Sequence, residues 1–274
     1  MQIRFAQLTA VLALSQSIRQ RSADASPSNM RMFHASRVFD KGVLHGDSIC
    51  ALLERYKVER RLDRAGICTL TRALIETHNV LLYLTEAGIS KSELELRFYL
   101  MYFNQDMDLK QIGAALGLID NDSHNSMQAG SRAFVLRTLH SNQVFIDFDE
   151  KKRNHLLKGK SPYLMNRYKG HRPVPPKIES AAYNLFSHNA HTFGLAITMG
   201  GSSTPAGSMH VLILAVEMAI IYLSHMIKRY QAVRAKAVGK LTRSEKLLID
   251  EALSLNYFNA WVEKLKREKM FFDG

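Results

Sequence analysis

The thirteen residues from Val211 to Leu223 carry one charge, Glu217, and are otherwise almost entirely apolar. A helix that is apolar on every side has to be surrounded by other structure. Crossing a bilayer takes roughly 20 uninterrupted apolar residues, and here Glu217 stands in the middle while His210 and His225 bracket the run. The segment therefore reads as a buried core helix, and the chain as one with no transmembrane segment. Residues Met1 to Leu14 loosely imitate an export signal, yet Gln7 and Thr9 interrupt the apolar run and no small-x-small cleavage site follows. They predict an N-terminal amphipathic helix, with Ser22 to Asn29 as a loop. A cytoplasmic location is expected, with Cys50 and Cys68 as reduced core thiols.

The helix that Val211 to Leu223 implies has company, because helix punctuation is dense. Leu44 to Arg64 alternates apolar and charged residues at helical spacing, and Ala65 to Ala87 follows, with Gly88 placed as a C′ residue. Ser90-Lys91-Ser92-Glu93 and Thr242-Arg243-Ser244-Glu245 are capping boxes, the first opening the helix through Phe103 and the second a final helix through Trp261. A short helix is expected from Asp108 to Gly117, another from about His124 to His140, and a long one from Ala206 to Val238. Val144 to Phe148 alone has strand composition, and it is too short to imply a sheet. The fold class is all-α, a multi-helix bundle with a long basic loop insertion. With 274 residues, 46% of them apolar, the chain can bury a large core without metal or disulfide. The expected division is residues 1–43 as N-terminal helix and linker, and 44–274 as the bundle, interrupted at 141–178.

That insertion holds most of the net charge. Lys151 to Lys177 contains nine Lys or Arg and no Asp or Glu, three quarters of the overall +12. Four prolines, Pro162, Pro173, Pro175 and Pro176, forbid one continuous helix there. Concentrated positive charge is the footprint of a polyanionic partner, so Lys151, Lys152, Arg153, Lys158, Lys160, Arg167, Lys169 and Arg172 are candidate contacts to nucleic acid, RNA ahead of DNA. A solvated loop is the plainer reading of the same run.

Candidate chemistry lies on two helices. At about 100° per residue from Arg72, Glu76 falls near roughly 40°, Asn79 near −20°, Tyr83 near 20° and Thr69 near 60°. Four turns of polar groups share one stripe on a helix whose other faces carry Ile67, Leu70, Leu74, Leu81, Leu82 and Leu84. The stripe is either solvated or a buried, paired network, and a paired set in a core often marks a site. On a later segment Tyr183, Ser187 and His191 recur every four residues along one face. A hydroxyl one turn from an imidazole suggests a nucleophile and base, although no acid is fixed to orient the His. Capping or core hydrogen bonding accounts for them equally well.

Arg72 with Glu76, the Leu-Leu-Tyr-Leu run at 81–84, and Tyr183, Ser187 and His191 resemble a bacterial family of helical proteins of unknown function, over roughly residues 45–230. The resemblance implies a helical bundle with a shared polar centre. Arg72 to His78 also resembles the Arg-x(4–6)-His signature of the HEPN superfamily, helical bundles that include ribonuclease toxins and phage-defence effectors. His78 however lies about 240° from Arg72, on the apolar side, and Ala73 stands where that superfamily places a polar residue. A HEPN-like site would take His191 instead.

Phosphate-loop, dinucleotide, zinc-protease and CxxC patterns are absent from the sequence. Asp120-x-Asp122-x-His124 reads as a turn and helix N-cap, and Gly200 to Pro205 as a linker, so neither a cofactor nor a metal is expected. The leading expectation is a nucleic-acid-binding protein, a HEPN-like, metal-independent ribonuclease or defence effector. Arg72 would stabilise phosphorane charge, His191 move the proton, and Glu76 orient one of them. Homo-oligomerisation is compatible with this. The alternative is a non-enzymatic interaction protein whose polar network is structural.

Overall fold

The computed structural model describes residues 2–59, 63–118, 126–164, 172–190 and 205–268, and among them every regular element is a helix. The chain forms two compact units, one of residues 1–85 with 171–274 and one of residues 86–170. The first contains α1 (Gln2–Ala23), α2 (Met30–Glu59), α3 (Arg64–Thr85), α8 (Pro176–Ala190), α9 (Pro205–Val233), α10 (Ala235–Val238), α11 (Arg243–Leu253) and α12 (Asn256–Glu268). The second contains α4 (Lys91–Ala115), α5 (Ser126–Ser141), α6 (Gln143–Ile146) and α7 (Glu150–Leu156).

In the first unit α9 is the central helix, and α1, α2, α3, α8 and α11 pack on it. Its apolar stretch, Met209–Val233, is long and apolar enough to span a bilayer, with a mean hydropathy of 1.8, but 83% of its most apolar 18-residue window is buried inside the protein. The all-apolar pattern thus marks a helix enclosed by its neighbours. Gly42 and Gly46 let α2 approach α9 closely: a Cβ on Gly46 would lie 2.9 Å from Leu223, and one on Gly42 would strike Met226. Glu217 is fully buried, and α1 supplies its partner: Arg4 Nε and Nη2 lie 2.5 Å from the two carboxylate oxygens. Burial pushes the Glu217 carboxyl above its ordinary value, and Arg4 draws it back. Farther along α9, the Tyr230 hydroxyl reaches Ser22 at 2.9 Å and Ser36 at 3.1 Å, while its ring stacks on Phe39. Arg234 donates to the carbonyls of Ser22 and Ala25, satisfying the open C-terminal end of α1.

The second unit has its own core of Leu96, Leu100, Phe103, Val135, Leu139, Phe145 and Leu156. Its α4 opens at Ser90, whose hydroxyl accepts from the Glu93 amide at 3.0 Å.

Several boundaries differ from the sequence expectations. The break expected at residue 43 falls inside α2, which runs unbroken because its apolar face packs on α1, α3 and α9. The helices expected to end at Phe103 and to begin at Asp108 are one helix, α4. The expected final helix is two, divided near Leu255, which takes the left-handed backbone at φ 58°. Val144 to Phe148 is not extended, for Asn142 caps the single turn α6 by accepting from the Phe145 amide. The insertion expected as a loop at 141–178 includes α6, α7 and the start of α8, where Pro176 occupies a first-turn position that needs no amide donor.

Candidate functional site

Within the first unit α3 and α8 pack against each other, and that contact assembles part of the expected centre. Arg72 Nε donates to Glu76 Oε1 at 3.2 Å, and the Tyr183 hydroxyl donates to the same oxygen at 2.5 Å. The Arg72 guanidinium sits over the Tyr183 ring, 4.7 Å from its centroid, in a cation–π contact. The cluster is half-exposed, with 30% of the Arg72 and 52% of the Glu76 side chain open to solvent. Burial lowers the Arg72 pKa, but Tyr183 and Glu76 together more than offset it and hold the guanidinium above its ordinary value. Burial and the bond to Glu76 raise the Tyr183 phenol. Both groups are therefore kept protonated at neutral pH, with the guanidinium and the phenol both directed at the Glu76 carboxylate on a partly accessible surface.

The α3 stripe changes depth along its length. Thr69 is exposed, Arg72 and Asn79 are partly buried, and Tyr83 is fully enclosed. It is neither wholly solvated nor wholly buried. Ser187 does not pair with a base among the described residues; its hydroxyl donates to the Tyr183 carbonyl at 2.8 Å, the back-bond typical of a helical Ser. His191 lies outside the described residues, as do Asp120, Asp122, His124, and the linker at 200–204.

One group near the centre has no motif to announce it. His45 on α2 feels the charge of Glu76, which raises its pKa against the larger lowering by burial and by Lys41. Its Nε2 is buried with no hydrogen-bond partner. The pairing of α2 with α3 lets the charge of Glu76 reach this imidazole, and a pairing between helices leaves no signature at the position itself.

His78 behaves as its helical angle predicts. It is fully buried, with Nε2 2.7 Å from His225 Nδ1 and Nδ1 3.2 Å from Asn79 Oδ1. Burial, then the neighbouring His225, push its pKa down to about 3, so it stays neutral. The ring of Tyr222 meets it edge-on, and the Tyr222 hydroxyl donates to Glu179 Oε2 at 2.5 Å. Arg172 closes the chain of contacts on Glu179 Oε1 at 2.6 Å.

That last pair corrects one of the expected nucleic-acid contacts. Arg172 is largely buried and committed to Glu179, in a different unit from the lysines it accompanies in sequence. Arg167 and Lys169 fall outside the described residues. Of the remainder, Lys151, Lys158 and Lys160 are exposed, Lys152 lies 3.6 Å over the Phe148 ring, and Arg153 donates to the Ile146 carbonyl at 3.1 Å. The acids of this stretch, Asp147, Asp149 and Glu150, gather at the N-terminal end of α7, where Asp149 caps the helix through the Lys152 amide. Lys158 and Lys160 follow its C-terminal end, separated from those acids by roughly 10 Å of helical rise, about a Debye length. No group of three or more His, Cys, Asp or Glu suited to a metal ion occurs among the described residues. Comparison of the chain with protein-family models, curated proteins and solved structures gives no match.

Proposed function

We propose that the protein binds RNA through Lys151, Lys158 and Lys160, and that Arg72, Glu76 and Tyr183 form the phosphodiester-handling centre of a HEPN-like ribonuclease. The observation that carries the binding half is the set of exposed lysines on and beyond α7, none in an ion pair among the described residues and two of them set apart from the acids at the N-terminal end of α7. The chemical half is supported by an accessible guanidinium held protonated beside a phenol, which suits the stabilisation of charge on a phosphorane. His191 stays the imidazole proposed to transfer the proton.

Anisotropy titration of a labelled single-stranded RNA across salt concentrations tests the binding half. Three lysine contacts contribute about 2 to the slope of log K against log salt, at about 0.7 per phosphate. The triple variant Lys151→Glu, Lys158→Glu, Lys160→Glu should lose that much slope, and an unchanged slope would remove α7 from the interface. For the chemical half, Arg72→Ala should abolish RNA cleavage by the folded protein.

A second reading, a non-enzymatic interaction protein, is favoured by one observation: Arg72, Glu76 and Tyr183 satisfy one another. It predicts loss of stability, not of RNA turnover, when Arg72 is removed.

A further inference from the structure

The second unit contains a cleft of about 410 Å³ between α4 and α5, walled by Tyr99, Tyr102, Phe103 and Phe134 and edged by Asp106 and Arg132. Its size is that of a small-ligand site, but its walls are unusual for one. Phe134 is 52% exposed and Leu109, also on the wall, is 58% exposed. Tyr99 stands edge-on to both Tyr102 and Phe134, with centroids 6.2 Å and 6.0 Å away. Phe134 is thus the wall residue whose ring is half open to solvent, where a flat group can lie against it beside the partly buried Tyr99.

The cations of the same unit are anchored to the same helix. The Gly159 carbonyl accepts from Asn104 Nδ2 on α4 at 2.5 Å. Gly159 takes φ +63°, and a Cβ there would lie 2.6 Å from Met107 and 3.4 Å from Phe103. Gly159 is therefore held directly against α4, next to Phe103, and the exposed Lys158 and Lys160 flank that anchor point in the chain. Met107 also accepts from Arg132 Nη2, with sulfur and nitrogen 3.1 Å apart, so one side chain separates the Gly159 backbone from the Arg132 guanidinium. Asp106 holds Arg132 only loosely, at 3.9 Å.

We infer that the α4–α5 cleft is a base-stacking site, and that the RNA held by Lys158 and Lys160 is single-stranded. Aromatic faces that accept any base, beside cations that track a backbone, are the two elements of sequence-tolerant single-strand binding. A duplex keeps its bases stacked on each other and offers no free face to Phe134 or Tyr99. This inference rests on the RNA-binding reading above and adds the strandedness of the substrate and the surface that selects it.

The experiment compares a short labelled oligouridine with an RNA duplex of equal length, for the wild-type chain and for Phe134→Ala and Phe134→Tyr. The single strand should bind more tightly, and Phe134→Ala should weaken it by at least about fivefold, leaving duplex binding and the salt slope as they were. Phe134→Tyr should restore affinity. Photo-crosslinking of an oligonucleotide carrying 5-iodouridine to the wild-type protein needs no variant, and should label Tyr99, Tyr102 or Phe134. If Phe134→Ala binds like wild type and crosslinks avoid the cleft, while reversal of the three lysines still abolishes binding, base stacking is wrong and the RNA interface stands. If polyglutamate displaces the RNA as well as oligouridine does, the surface is one for an acidic protein and both readings fall.

Discussion

Replacing Glu217 by Gln should destabilise the first unit by about 3–5 kcal/mol, because the buried guanidinium of Arg4 would lose the charge that balances it. The structure sets this magnitude at the upper end for an ion pair. Glu217 is fully buried, Arg4 is 7% exposed at its side chain, and two parallel bonds of 2.5 Å join them. For a unit of this size the change corresponds to a fall in Tm of about 6–20 °C. Arg4→Met should cost a similar amount by stranding the carboxylate, and would also lose the contact of the guanidinium with the Tyr257 ring at 4.3 Å. The double variant Arg4→Met, Glu217→Leu should recover most of the loss, since two apolar groups need no partner. Urea unfolding followed by circular dichroism measures all three. The reasoning fails if either single variant loses less than about 1 kcal/mol, or if the double variant loses the sum of the two. The pair also calibrates the candidate site. Arg72 and Glu76 are an i,i+4 pair open to solvent, and such pairs contribute about 0.3–0.5 kcal/mol. Arg72→Ala should leave stability within about 1 kcal/mol of wild type, so a loss of RNA cleavage in that variant reports function and not folding.

Acid should weaken the fold through His78. Its folded pKa of about 3 lies below the ordinary 6.5, so the unfolded chain binds the proton first, and stability falls as pH drops from about 6.5 towards 3. The loss at pH 4.5 is about 3 kcal/mol, and His78→Gln should flatten that part of the pH–stability curve, against a background set by the facing His225, Tyr222, Glu179 and Arg172. Burial raises the thiols of Cys50 and Cys68 to about 11 and about 12, so neither should react with a thiol reagent at pH 8 until the protein is unfolded. Gly159→Ala, at a left-handed position packed on Met107, should weaken RNA binding without altering charge, as seen by comparing its affinity with that of Lys158→Gln at one salt concentration.

Helix identity was legible wherever a cap or a 3.6-residue period acts locally. Ser90 and Thr242 do cap their helices through the Glu three residues on, and the all-apolar α9 is enclosed. The start of α2 carries a local cap that went unread, Asn29 Oδ1 accepting from the Met32 amide at 2.9 Å, whereas its unbroken run through Leu44 depends on packing, with Ala35, Phe39 and Val43 facing its neighbours. The Arg72–Glu76 pair could be read from spacing because both groups lie on one helix. That Tyr183 closes it, and that His45 stands near it, depends on how helices pair across the chain, which periodicity within one helix does not encode. Arg172 shows the same limit from the other side. In sequence it belongs to a run of cations, yet a single buried carboxylate, Glu179, removes it from that run.

The position of α8 joins the two polar centres of the first unit. Glu179 and Tyr183 are one turn apart on it, and each completes a different cluster: Glu179 receives Arg172 and Tyr222 inside the core, whereas Tyr183 receives Arg72 above its ring and donates to Glu76 near the surface. The buried cluster is the costlier to disrupt, since Tyr222 is fully enclosed and Glu179 nearly so. The exposed one contributes little stability of its own. The inner contacts therefore fix α8, and the outer contacts follow from where α8 is fixed. A site whose geometry is set by a rigid network one turn below it needs no strength in its own ion pair, and under the proposed function this is what would let the Arg72 guanidinium exchange Glu76 for a phosphate.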